Sequence, residues 1–79
     1  MRIATPSRWR FSVIRVGEKY WHYKGNAYVI LAIARHSETL EEMVVYQDLS
    51  DPAKVWVRPL KLFDDVLPDG RKRFEKIRD

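Results

Sequence analysis

The side chains of this sequence that can do chemistry fall into three short strings. Arg35-His36-Ser37-Glu38-Thr39 sets five polar groups in succession, Trp56 and Arg58 stand two apart, and so do Tyr20 and His22. An imidazole beside a hydroxyl invites comparison with a general base and its nucleophile. In extended chain, however, neighbours point to opposite sides, and a base must lie within hydrogen-bond reach of the group it deprotonates. Neither histidine sits in a two-ligand metal motif, and three scattered glycines build no phosphate-binding loop. These residues therefore imply no catalytic group, no metal and no cofactor. Aromatic faces beside a cation suit an anionic or planar ligand instead, so Arg35, His36, Ser37, Glu38, Tyr46, Trp56, Arg58 and His22 form the candidate ligand-binding set. Each has a plain structural alternative. Ser37 and Thr39 are common turn formers, Arg35 can pair with Glu38 or Glu42, and Trp and Tyr in so small a chain commonly belong to the core.

The elements that must position these groups are short strands. The run Tyr20 to Tyr23 within Lys19–Lys24 is rich in strand-favouring aromatics and ends at Gly25-Asn26, a turn signal. Tyr28 to Ala34 reads as a second, longer strand, completing a hairpin. Alternation puts Val29, Leu31, Ile33 and Arg35 on one face and Tyr28, Ile30, Ala32, Ala34 and His36 on the other. The bulkier aliphatic set is expected to face the core, leaving the two alanines as a floor for a ligand or for the N-terminal arm. In Ser37–Glu42, Thr39 and Glu42 have capping-box spacing, which predicts a single helical turn. Met43 to Tyr46 and Val55 to Arg58 make two more strands around the turn at Ser50-Asp51-Pro52. After Pro59, the spacing of Leu60, Phe63 and Val66 predicts a short 3₁₀ or α turn plugging one end. Asp69-Gly70 supplies a last turn before a short strand at Arg73–Ile77, with Phe74 inward.

The composition bounds what these elements can be. A chain of 79 residues forms one domain with a thin margin of stability, and with no cysteine its core must come from side chains alone. Three Trp, four Tyr and three Phe can supply it. The longest apolar stretch, Ala27 to Ala34, has eight residues against the about 20 a spanning helix needs, and no signal peptide is visible, so a soluble cytoplasmic protein is expected. The net charge of +4 is uneven: residues 1–16 carry +4, residues 17–70 carry −3 and residues 71–79 carry +3. A phosphate-binding patch would form only if both ends folded onto one face.

Tyr20-Trp21-His22-Tyr23-Lys24-Gly25-Asn26, then Ala34 to Thr39, then Val44-Val45-Tyr46, then Trp56-Val57-Arg58-Pro59-Leu60 with Phe63 make four ordered motifs. Together they resemble the bacterial domain-of-unknown-function family DUF1653 over Gly17 to Ile77, and the resemblance implies an SH3-like fold and no particular activity. Two features depart from the pattern: Asp51-Pro52-Ala53-Lys54 replaces a Gly-containing hairpin, and Met1 to Val16 extends beyond the shared core. The expectation is thus a mostly β protein, a small SH3-like barrel of about five antiparallel strands with a short 3₁₀ or helical turn. An N-terminal arm, partly flexible, spans 1–16, and the barrel spans 17–79. The function expected is that of a non-catalytic binding module, monomeric or dimeric, for a small polar or anionic ligand or a peptide. The alternative is RNA binding, in which Arg2, Arg8, Arg10, Arg71, Lys72 and Arg73 hold phosphates while aromatics stack on bases.

Overall fold

The computed structural model describes residues 14–78. The expectations for residues 1–13, including the phosphate contacts by Arg2, Arg8 and Arg10, lie outside the described residues. Five strands and one short helix follow in chain order: β1 (Lys19–His22), β2 (Ala27–Arg35), β3 (Glu42–Asp48), β4 (Val55–Pro59), α1 (Leu60–Phe63) and β5 (Phe74–Lys76). All pairings are antiparallel and join one open sheet in the order β4-β3-β2-β1-β5. The mostly β class, the five strands and the short helical turn are as expected. Among the described residues no helix is long and apolar enough to cross a membrane.

Local chemistry sets the connections. At the β1–β2 hairpin Gly25 takes φ +108, a left-handed geometry that side chains resist, and its N–H reaches the His22 carbonyl at 2.8 Å. The β3–β4 connection turns without glycine. The Asp51 carboxylate accepts the Ala53 N–H at 3.1 Å and the Asp51 carbonyl accepts the Lys54 N–H at 2.9 Å, so the aspartate does the work expected of a glycine. Buried Asp48 stabilises the same corner by accepting both the N–H and the hydroxyl of Ser50 at 2.7 Å, and these bonds, the hydroxyl's first, hold its carboxyl below the usual carboxylate range.

The core is largely aromatic. Tyr20, Ile30, Val44, Tyr46, Phe63 and Phe74 form one buried cluster, with Ile14, Tyr28 and Leu60 packed against it. Phe63 and Phe74 stack with centroids 4.0 Å apart, and Tyr20 and Tyr46 meet Phe63 edge-on at 5.2 and 5.3 Å. Short α1 thus delivers one ring into the mouth of the sheet, since Pro59 lacks a donor and fits just before a helical turn. Leu67, not Val66, is the next buried residue: the turn ends at Asp64, and Val66 stays exposed.

Two local expectations are corrected. Strict alternation in β2 fails because a bulge lies between Ile30 and Ala32. Before it, Tyr28 and Ile30 stand opposite Asp48 and Tyr46 on the core face; after it, Ile33 and Arg35 stand opposite Val44 and Glu42 on that same face. Val29 and Leu31 are therefore not core residues, while Ala32 and Ala34 face away from the core opposite Val45 and Met43. At Ser37–Glu42 a single turn does close, with the Leu40 N–H on the His36 carbonyl at 2.9 Å, but the capping box at Thr39 and Glu42 is absent. Leu40 takes φ +65, which breaks a right-handed path, and Thr39 Oγ1 accepts the Glu41 N–H at 3.2 Å instead of capping a helix.

Candidate functional site

The core face of the sheet sorts the eight candidate residues into two groups. His22, Tyr46 and Arg58 all converge on one ring: Phe74 lies 4.8 Å from the His22 ring, 5.5 Å from Tyr46, and 5.4 Å beneath the Arg58 guanidinium. Trp56 pairs across from Tyr46, and Arg58 across from Val44, so both project to the same face. Arg58 comes from one edge strand and Phe74 from the other. The sheet therefore curls until side chains of its two unpaired edges touch.

Tyr46 is 5 % exposed and makes edge contacts with Tyr28, Phe63 and Phe74, which places it in the core beneath the site. Trp56 stays about half exposed. Arg58 lines an open recess of about 270 Å³ together with Val57, Pro59, Leu62, Asp65 and Arg73. Arg73 donates to Asp65 from Nη2 at 3.1 Å, and its guanidinium also lies 5.9 Å over Tyr23. The Asp65 carboxyl sits below its ordinary value, first because the Val66 N–H donates to it and then because Arg73 does. Arg58 forms no ion pair among the described residues. His22 titrates below its ordinary value: burial disfavours the imidazolium most, and Arg58, Lys24 and Arg73 add positive charge around it.

Arg35, His36, Ser37 and Glu38 lie at the opposite end of β2 from His22, with a nine-residue strand, about 30 Å of extended chain, between them. The side chains of Arg35 and His36 are occupied with backbone groups of the same loop. His36 Nδ1 accepts the N–H of Glu38 at 3.1 Å and of Thr39 at 3.3 Å, and Arg35 donates to the Leu40 carbonyl at 3.1 Å. His22 Nδ1 does the same for the Lys24 N–H at 3.2 Å. Both histidines thus act as turn acceptors, in the manner of an asparagine or aspartate side chain.

Leu62 and Asp65, outside the candidate set, line the recess together with Arg73, which the sequence offered only for phosphate contacts, and buried Phe74 lies beneath Arg58. Phe74 was expected to point inward, but no spacing in the chain connects it with Arg58, 16 positions earlier. The basic run Arg71-Lys72-Arg73 is paired within the fold, to Asp69 at 2.8 Å, Asp64 at 3.1 Å and Asp65 at 3.1 Å. No group of three or more metal-ligating side chains occurs among the described residues.

The fold and recess define a small, mostly β domain with an open recess beside one edge strand, lined by two guanidiniums, one carboxylate and apolar side chains. Residues 18–76 match a family model described as a protein of unknown function, DUF1653, and the chain belongs to that family. Searches of curated proteins and of solved structures return no match.

Proposed function

We propose that this chain is a non-catalytic binding module that takes an anionic or polar group, on a small ligand or a peptide, in the recess beside β4. Arg58 carries the reading. It is half-buried over the Phe74 ring and makes no ion pair among the described residues, although the Asp65 carboxylate in the same recess lies near enough to feel its charge. Stacking on an aromatic face leaves the edge of a guanidinium, where its N–H donors lie, open to a carboxylate or phosphate. Arg73 adds a second guanidinium to the lining, Leu62 an apolar wall and Trp56 an exposed aromatic close by. In this reading the site consists of Arg58, Trp56 and His22 over Tyr46. The Arg35–Glu38 turn serves the backbone. RNA binding is the second reading: Arg71, Lys72 and Arg73 hold acidic partners, which weighs against it, while Arg2, Arg8 and Arg10 lie outside the described residues.

The test is an NMR titration of the whole chain with N-acetyl-glutamate amide, following the Arg58 Nε–H and Trp56 indole N–H resonances. Both are expected to shift, the affinity to fall as salt rises, and Arg58→Gln to abolish the response. Resonances that stay still up to about 10 mM ligand would end this reading.

A further inference from the structure

The recess lies along a free sheet edge, and the backbone of that edge identifies the shape of its occupant. The Lys54 carbonyl accepts the Asp48 N–H at 3.0 Å, so Lys54 turns its backbone groups toward β3. Alternation in an antiparallel ladder then aims those of Trp56 and Arg58 toward β3 and those of Val55, Val57 and Pro59 outward. Val55 and Val57 present outward N–H donors that meet no acceptor among the described residues. Pro59 has no N–H and contributes only its carbonyl. The side chains along this edge are open and apolar, with Val55 48 % and Val57 60 % exposed. The other edge, β5, is three residues long and carries exposed Glu75 and Lys76, which are features that discourage strand addition.

Resting on the site proposed above, we infer that the occupant is an extended acidic peptide segment that adds to β4 as a sixth strand and delivers a carboxylate to Arg58. Main-chain bonds to Val55 and Val57 supply affinity that is indifferent to sequence, and the Arg58 guanidinium, which has no ion-pair partner among the described residues, selects the acid. Charge favours this occupant over a second copy of the chain. From Lys54 to Pro59 the edge carries Lys54 and Arg58 and no acidic residue, so a copy of β4 would bring like charge to like.

The experiment compares a blocked alternating pentapeptide, Val-Glu-Val-Glu-Val, with N-acetyl-glutamate amide on the full chain by calorimetry and amide exchange. The pentapeptide is expected to bind at least about tenfold tighter and to protect the Val55 and Val57 amides. A Val-Lys-Val-Lys-Val counterpart is expected not to bind. N-methylating the pentapeptide backbone is expected to reduce it to the level of the blocked glutamate. Val57→Pro, checked for folding by circular dichroism, is expected to do the same. If blocked glutamate binds and the pentapeptide gains nothing over it, the strand addition is wrong while the anion site stands. If neither ligand binds, both readings fall. Sedimentation of the free chain as a dimer that Val57→Pro dissociates would assign the edge to a second copy and overturn the proposal.

Discussion

His22 joins two roles in one ring. Its Nδ1 accepts the Lys24 N–H that shapes the β1–β2 hairpin, and its face packs against Phe74 at 4.8 Å. Protonation would remove the acceptor and add charge beside Arg58 and Arg73, in agreement with its lowered value. Folding then favours the neutral ring, so the unfolded chain binds more protons between the folded value and the unfolded value of 6.5. The contribution of His22 to stability is complete above that unfolded value and is lost as pH falls toward the folded one. Melting curves from pH 8 to pH 5 are expected to show this decline, and His22→Gln to flatten it. Glu18 acts in a lower window. Burial opposes its ionisation, but the Lys76 ammonium at 2.8 Å, the Arg15 N–H and the Tyr20 hydroxyl outweigh that, and its net value is lowered. Its stabilisation, with that of Asp48, Asp65 and Asp69, holds at neutral pH and is lost only as the pH falls below ordinary carboxylate values.

At the scale of the element, the turns are specified by side-chain acceptors more than by glycine. The His36 imidazole collects two N–H groups, Asp51 shapes the β3–β4 turn, and Asp69 accepts the Arg71 N–H at 3.0 Å beside Gly70 at φ +93. An asparagine oxygen can stand where His36 Nδ1 stands, whereas leucine offers no acceptor. His36→Leu is therefore expected to cost about 0.5–1.5 kcal/mol in chemical denaturation, with His36→Asn recovering most of it. If the side chain bound a ligand instead, both changes would leave stability unaltered. Within the polar string, Arg35 and His36 shape the corner through their bonds to its backbone. Strand positions were legible within a residue or two, from aromatic and β-branched runs between turn signals. The faces of β2 were not, because one inserted residue at the bulge reverses every side chain beyond it.

For the whole molecule, stability concentrates in a few rings. Phe63 reaches the core from a single helical turn and stacks on Phe74, which in turn carries His22 and Arg58 on its surroundings. Phe63 is 1 % exposed, so Phe63→Ala removes a full aromatic contact and leaves a void. It is expected to cost about 3–5 kcal/mol, a large part of the margin of a domain this small, and urea titration should show the midpoint falling accordingly. The same substitution should weaken binding at the proposed anion site by letting Phe74 shift beneath Arg58. The open ladder leaves the edge on which the proposed strand addition rests. Curling brings the edges close enough for side-chain contact but leaves the outer amides of β4 unbonded among the described residues, and the recess follows that gap.

By itself the chain determined its elements. Alternating and aromatic runs, the turn residues between them, and the absence of any long apolar or helical stretch require short strands, a helical plug and a core rich in rings, because those preferences act over a few neighbouring residues. Tertiary structure alone decided which face of β2 is buried and which basic residues are already neutralised. It also decided that Arg58 meets Phe74 across the two edges of the sheet. These depend on register, on a bulge and on curl, which are properties of pairing between distant segments and have no signature in local spacing.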